Sequence, residues 1–216
     1  MQERIGVLRS MSSREYGLYA FARDPVNHRL EDGRRLQMID RANECGRRQA
    51  RELIARYGKL AAPEYAARLR VWIRRKDSAG VGDYPLFASF EEPDRITLYM
   101  KNVEDARELI EDNDLAELLD HVDLEEVLLF HELFHVLEAR DSSIYTRTEK
   151  IALWKLGPLR GATRLVALSE IAAMAFAQEC LSIDYSPFLF DVLLPWKRNP
   201  PQAEKLYRSI LNYRRD

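Results

Sequence analysis

The chain has 216 residues, 46% hydrophobic and 31% charged, a balance that supports a packed core and excludes a disordered or fibrous chain. A formal net charge of −2 offers no global attraction to nucleic acid or anionic lipid. The basic runs Arg47-Arg48, Arg74-Arg75-Lys76 and Arg214-Arg215 are therefore expected as solvated faces. The two cysteines, Cys45 and Cys180, stand far apart without CxxC spacing, which excludes a disulfide framework and a cysteine zinc site.

The N-terminal stretch MQERIGVLRSMSSREYG lacks the apolar run of a signal peptide, and no later apolar run is long enough to span a bilayer. The expectation is a cytoplasmic protein with neither a nucleic-acid nor a membrane partner, its oligomeric state left open. Residues 1–35 read as an irregular segment with no sustained period, and residues 36–216 as a single domain. Leu36, Ile39, Ala42, Ala50, Leu53 and Ile54 recur at helical spacing, and Gly58 is a good stop. Residues 69–74 alternate as a half-buried strand does. Residues 86–90 and 96–100 are two further strands, joined by a turn at 91–94 into an antiparallel hairpin.

Beyond Asn102 the pattern is helical throughout. A helix is expected over 124–140, opened by a capping box from Asp123 and Glu126, and another over 162–181. Gly157, Pro158 and Gly161 mark a loop between helices at 155–161. The aromatics of two last helices, at 187–194 and 203–213, suit either a core or a dimer contact. Strands first and helices after them argue for an α+β fold with a small, mostly antiparallel sheet, an active-site helix and a helical C-terminal half.

The helix over 124–140 carries His131-Glu132-Leu133-Phe134-His135. Residues four apart share a face about 6 Å from one another, the separation two imidazoles need to reach one tetrahedral Zn2+. Glu132 is turned about 100° from His131 and suits a base beside the open coordination position rather than a ligand. Two of the chain's four histidines fall in this motif, inside an apolar helix where each unpartnered polar group would cost about 1–3 kcal/mol. A metal removes that cost.

A hydrolytic zinc site needs a third protein ligand. Glu170 is the leading candidate, with the small residues Ala173 and Ala177 near its helical face allowing close approach to a neighbouring helix. Glu179 points the opposite way. Glu138, one turn past His135, is either a supporting carboxylate or the third ligand should Glu170 not serve. His121, just ahead of the cap, is expected to be solvated.

On these residues the chain resembles the zincin metallopeptidases, specifically their Glu-ligand branch, over roughly residues 65–185. The resemblance implies a zincin-like metalloprotease domain holding one Zn2+ per chain on His131, His135 and Glu170. Glu132 would be general base and acid, acting on a peptide or protein substrate paired along the edge strand 96–100. It also implies an oxyanion-stabilising residue, for which Tyr145, Arg164 and Tyr185 are candidates by proximity in sequence. Met174 stands where the thermolysin-like pattern has an acidic residue, and the glycine and third histidine of metzincins are absent, so the match is to a minimal or divergent member.

Two other readings compete. A zincin-shaped regulatory module could bind zinc without catalysis, although the intact Glu132 leans toward an enzyme. A ferritin-like di-metal protein would use Glu132-Leu133-Phe134-His135 as one ExxH, but no second ExxH is present.

Overall fold

The computed structural model describes residues 1–78, 86–156 and 159–214. The elements run α1 (Gln2–Ser10), α2 (Ser13–Ala22), α3 (Asp32–Tyr57), α4 (Ala62–Arg68), β1 (Trp72–Lys76), β2 (Ala88–Glu91), β3 (Arg95–Tyr99), α5 (Met100–Asp112), α6 (Leu124–Arg140), α7 (Tyr145–Thr148), β4 (Ile151–Leu156), β5 (Leu159–Thr163), α8 (Val166–Leu181), α9 (Phe190–Leu193) and α10 (Pro200–Leu211), with three single 3-10 turns between them. The fold is mixed α+β, mostly helical, with a small sheet. No helix among the described residues is long and apolar enough to cross a membrane.

Residues 1–35 are not irregular, which corrects the sequence reading. Ser12 opens α2 with a closed capping box, its hydroxyl accepting the Glu15 N–H while the Glu15 carboxylate accepts the Ser12 N–H. Tyr16, Tyr19, Ala20 and Phe21 are all buried, so α2 presents no polar stripe and leaves no amphipathic period to detect. Gly17 gives way to Ile39, whose Cγ2 would lie 2.3 Å from a Cβ there. Ile5, Leu8, Tyr16 and Phe21 belong to the same core as α3 and α8.

α3 spans the length of the core and ends at Gly58, whose φ of +80° favours glycine. It crosses α8 where a Cβ on Gly46 would stand 2.0 Å from the Ala172 carbonyl oxygen, so the two backbones nearly touch. α8 is buried on almost every face. It therefore lies between α3 and α6 and brings Glu170 against the histidine helix.

α6 starts and ends as expected, but its cap differs. Asp123 accepts the Glu125 N–H at 3.1 Å, whereas Glu126 reaches across to the Ala62 N–H at 3.0 Å instead of closing a box on its own helix.

The sheet order is β1-β3-β2. β2 and β3 form the expected antiparallel hairpin, with Phe90 opposite Ile96. β1 runs parallel to β3, with Ile73 opposite Ile96, so the sheet is mixed. β3 is central rather than an edge, and Ile96, Thr97 and Leu98 are all fully buried. Among the described residues, the edge near α6 left unpaired belongs to β2. The loop expected at 155–161 is instead the β4–β5 hairpin, of which Gly157 and Pro158 lie outside the described residues. At the C-terminus Phe188 and Phe190 are core residues, Phe188 stacking on Tyr16 at 5.7 Å between ring centroids.

Candidate metal centre

One turn of α6 sets the His131 and His135 rings 4.8 Å apart, with their Nε2 atoms 3.1 Å from one another. From α8 the Glu170 carboxylate places Oε2 3.5 Å from His131 Nε2 and Oε1 3.7 Å from His135 Nε2. A tetrahedral ion with bonds of about 2.0–2.1 Å holds its ligands about 3.3 Å apart. The two Glu170 contacts use different oxygens, and with one ligand atom from each residue the donors lie within 4.8 Å of one another, so the group could hold a divalent cation. It is the one such group of three or more His, Cys, Asp or Glu among the described residues.

Without an ion the pair is held by a proton. Burial works against a charge on His131, but the Glu170 carboxylate hydrogen-bonded to it raises its pKa to about 9. Burial likewise opposes the Glu170 charge, and the two histidines outweigh it, lowering its pKa to about 2. A cation would take the place of that proton between the same atoms. His131 Nδ1 is buried with no hydrogen-bond partner among the described residues.

Glu138 is not turned toward the donor set. It stands behind His135, 3.5 Å from Nδ1, and accepts hydrogen bonds from Ser169 Oγ at 2.6 Å and from Thr146 Oγ1. Burial penalises its charge, yet these three partners hold its pKa below the usual carboxylate value. The arrangement fixes the His135 ring so that Nε2 faces His131 and Glu170.

Glu132 is buried beside the triad and points to the sheet. Burial pushes its pKa up, while the two histidines and a backbone hydrogen bond from Phe90 pull the other way. The Tyr99 N–H donates to the Phe87 carbonyl at 3.0 Å, so Phe87, Ser89 and Glu91 face β3. The backbone groups of Ala88 and Phe90 consequently point away from the sheet, and the Phe90 N–H meets Glu132.

Two clefts flank the donor set, with exposed Val166 on the rim of both. One, of about 310 Å³, is lined by Phe90, His135, Glu138, Arg164 and Ser169 among others. The other, of about 350 Å³, is lined by Arg23, Asp24, Glu170, Met174, Phe188 and Asp191 among others. Of the three residues suggested for oxyanion stabilisation, Arg164 is the one on a cleft wall. Tyr145 lines neither cleft; it lies under the Arg41 guanidinium at 4.2 Å, and its buried hydroxyl has no hydrogen-bond partner among the described residues. Tyr185 is removed from the site, its hydroxyl donating to the Leu119 carbonyl at 2.9 Å. His121 is exposed, as expected.

Arg23, Asp191 and Phe90 escaped the sequence reading. Only Ser12-x-x-Glu15 announced the helix that carries the chain to Arg23, and nothing local marks Phe90 as the edge beside Glu132. The chain matches no family model, no curated protein and no solved structure. The resemblance to zincins accordingly rests on the HExxH helix and the downstream glutamate.

Proposed function

We propose that the chain is a divalent-metal-dependent hydrolase, a zinc peptidase of the HExxH type. The observation that carries this reading is the buried Glu132 carboxyl, adjacent in sequence to His131 of a group that could hold a metal ion and hydrogen-bonded to the outer edge of β2. Two histidines and one carboxylate also suit Fe(II), but a buried base beside the set favours hydrolysis.

A zinc ion bound to His131, His135 and Glu170 would supply Lewis acidity and lower the pKa of water at its open position. Burial leaves Glu132 the easier to protonate, so it can accept a proton from the attacking water and return it to the leaving amine. Among the described residues the outward N–H and C=O of Ala88 and the C=O of Phe90 are the free pairing groups of β2, and they suit an extended peptide added as a further strand. The substrate therefore runs along β2 rather than β3.

The test is Glu132→Gln. The variant should keep about one zinc per chain and lose about 10²–10⁴-fold in hydrolysis of an unfolded protein substrate. Zinc binding with no hydrolysis by the unaltered protein, across a broad peptide library, would favour the regulatory module instead.

A further inference from the structure

The cleft between α2, α8 and the start of α9 carries unspent hydrogen-bond donors. Three carboxylates line it, and each is already engaged. Asp24 accepts the N–H groups of Val26 and Ala167, both at 3.1 Å. Glu170 faces His131 and His135. Asp191 accepts from Arg23 Nη1 at 3.0 Å and from the Tyr19 hydroxyl at 3.3 Å. Arg23 is the one cation of the lining, and the same Nη1 also donates to the Tyr19 oxygen at 2.9 Å. Its Nε and Nη2 meet no acceptor among the described residues. The unspent donor capacity of this wall is thus concentrated on one edge of one guanidinium.

That edge has a defined chemical match. In Arg14 the same pair of atoms, Nε and Nη2, grips the Asp40 carboxylate with two bonds of 2.8 Å. In Arg23 the corresponding edge is pre-oriented, because Asp191 and Tyr19 hold the guanidinium by its other nitrogen. The remaining wall is mainly apolar, from Ala20, Pro25, Val166, Met174 and Phe188. Its complement is an apolar group that carries a carboxylate.

We propose that Arg23 is a specificity residue that binds a substrate carboxylate, flanked by apolar surface, in the cleft beside Glu170. As a statement about substrate it rests on the peptidase reading; as a statement about ligand binding it does not. The carboxylate can be a free peptide C-terminus or an Asp or Glu side chain, and both present the same planar pair of oxygens.

The experiment titrates 3-phenylpropanoate and its neutral amide into the full chain by calorimetry, with the zinc-loaded and the chelator-treated protein. The acid should bind about 10–100-fold more tightly than the amide, the range of a charge-assisted pair. Arg23→Gln should erase the preference in both forms, and Arg23→Lys, which keeps the charge without the fork, should recover part of it. Equal binding of acid and amide by the unaltered protein would overturn the proposal even if the variants fold poorly, as would a preference that survives Arg23→Gln. Kinetics then name the source: peptides with a free C-terminus, an amidated C-terminus or an internal Glu should lose unequally in kcat/KM on Arg23→Gln. A uniform loss across all three would overturn the specificity role. Absence of any peptide hydrolysis, with acid binding intact, would remove the peptidase reading and leave Arg23 as the carboxylate site of another activity.

Discussion

His135 Nδ1 lies 3.5 Å from the Glu138 carboxylate, on the opposite side of the ring from the Nε2 that meets His131. Glu138 is itself held by Ser169 and Thr146, so the ring orientation is fixed from two helices at once. Carboxylates in this relation to a ligand histidine set its tautomer and raise its basicity, and their loss costs about 10–100-fold in metal affinity. Glu138→Ala should weaken zinc binding by that factor, read by competition with a chelator of known affinity. An unchanged zinc affinity would deny Glu138 this role.

Glu170→Ala removes a donor rather than a donor's support. Its effect on zinc affinity should exceed the roughly 10–100-fold lost with an outer partner. Far-ultraviolet circular dichroism should stay near that of the unaltered chain, because Glu170 is on a cleft wall and the core face of α8 is built from other residues. Full retention of metal would reopen the identity of the third ligand.

The metal-free protein should carry a pH signature of its donor set. His131 is raised from 6.5 to about 9, so its contribution is fully present below pH 6.5 and lost as pH rises through 9. Glu170 is lowered from 4.5 to about 2, so its contribution is present above pH 4.5 and lost as pH falls toward 2. The pair stabilises the metal-free fold most between pH 4.5 and 6.5. Zinc must displace the His131 proton, so affinity should climb with pH up to about 9, with close to one proton released per ion at pH 7. Calorimetry in buffers of differing ionisation enthalpy counts that proton; finding none would contradict the His131–Glu170 pairing.

Gly46→Ala should damage both stability and the site. Its Cβ would meet the Ala172 carbonyl oxygen at 2.0 Å, a backbone atom that cannot swing away. Overpacking of this kind costs about 1–3 kcal/mol, and the displaced segment of α8 carries Glu170 two residues before Ala172. Urea denaturation should register the loss, and zinc affinity should fall with it. Gly33→Ala is the control, since nothing lies within 4 Å of its Cβ, and there a helical alanine should be neutral or stabilising by about 0.5–1 kcal/mol.

The HExxH helix, its limits at 124 and 140 and the β2–β3 hairpin were legible because each depends on residues close in sequence. A four-residue spacing fixes two rings on one face whatever surrounds the helix, and an apolar alternation ended by a turn fixes a hairpin. α2 was not legible, because a helix buried on nearly every side has no polar face and so no period, and α1 was not, because only Ile5 and Leu8 of its nine residues are buried, too few to show one. The β4–β5 hairpin was missed where glycine and proline signalled only a loop, and the two strands pair with each other rather than with the larger sheet. Strand order was likewise hidden. β3 became central because β1 joins it in parallel across a gap in sequence, a choice made by packing and not by either strand's pattern.

The chain by itself determined that two imidazoles could share a cation and that Glu132 would stand beside them, because backbone helical geometry alone sets those relations. The tertiary structure decided the rest. The close crossing of α8 over α3 at Gly46 brings Glu170 within 3.5 Å of His131. The fold of Glu138 against Ser169 directs it to the back of His135, and the docking of α2 sets Arg23 on the same cleft as Glu170. These pairs are separated by tens of residues or more, and their meeting follows from which helix faces close-pack, a property of the whole core that no local pattern contains.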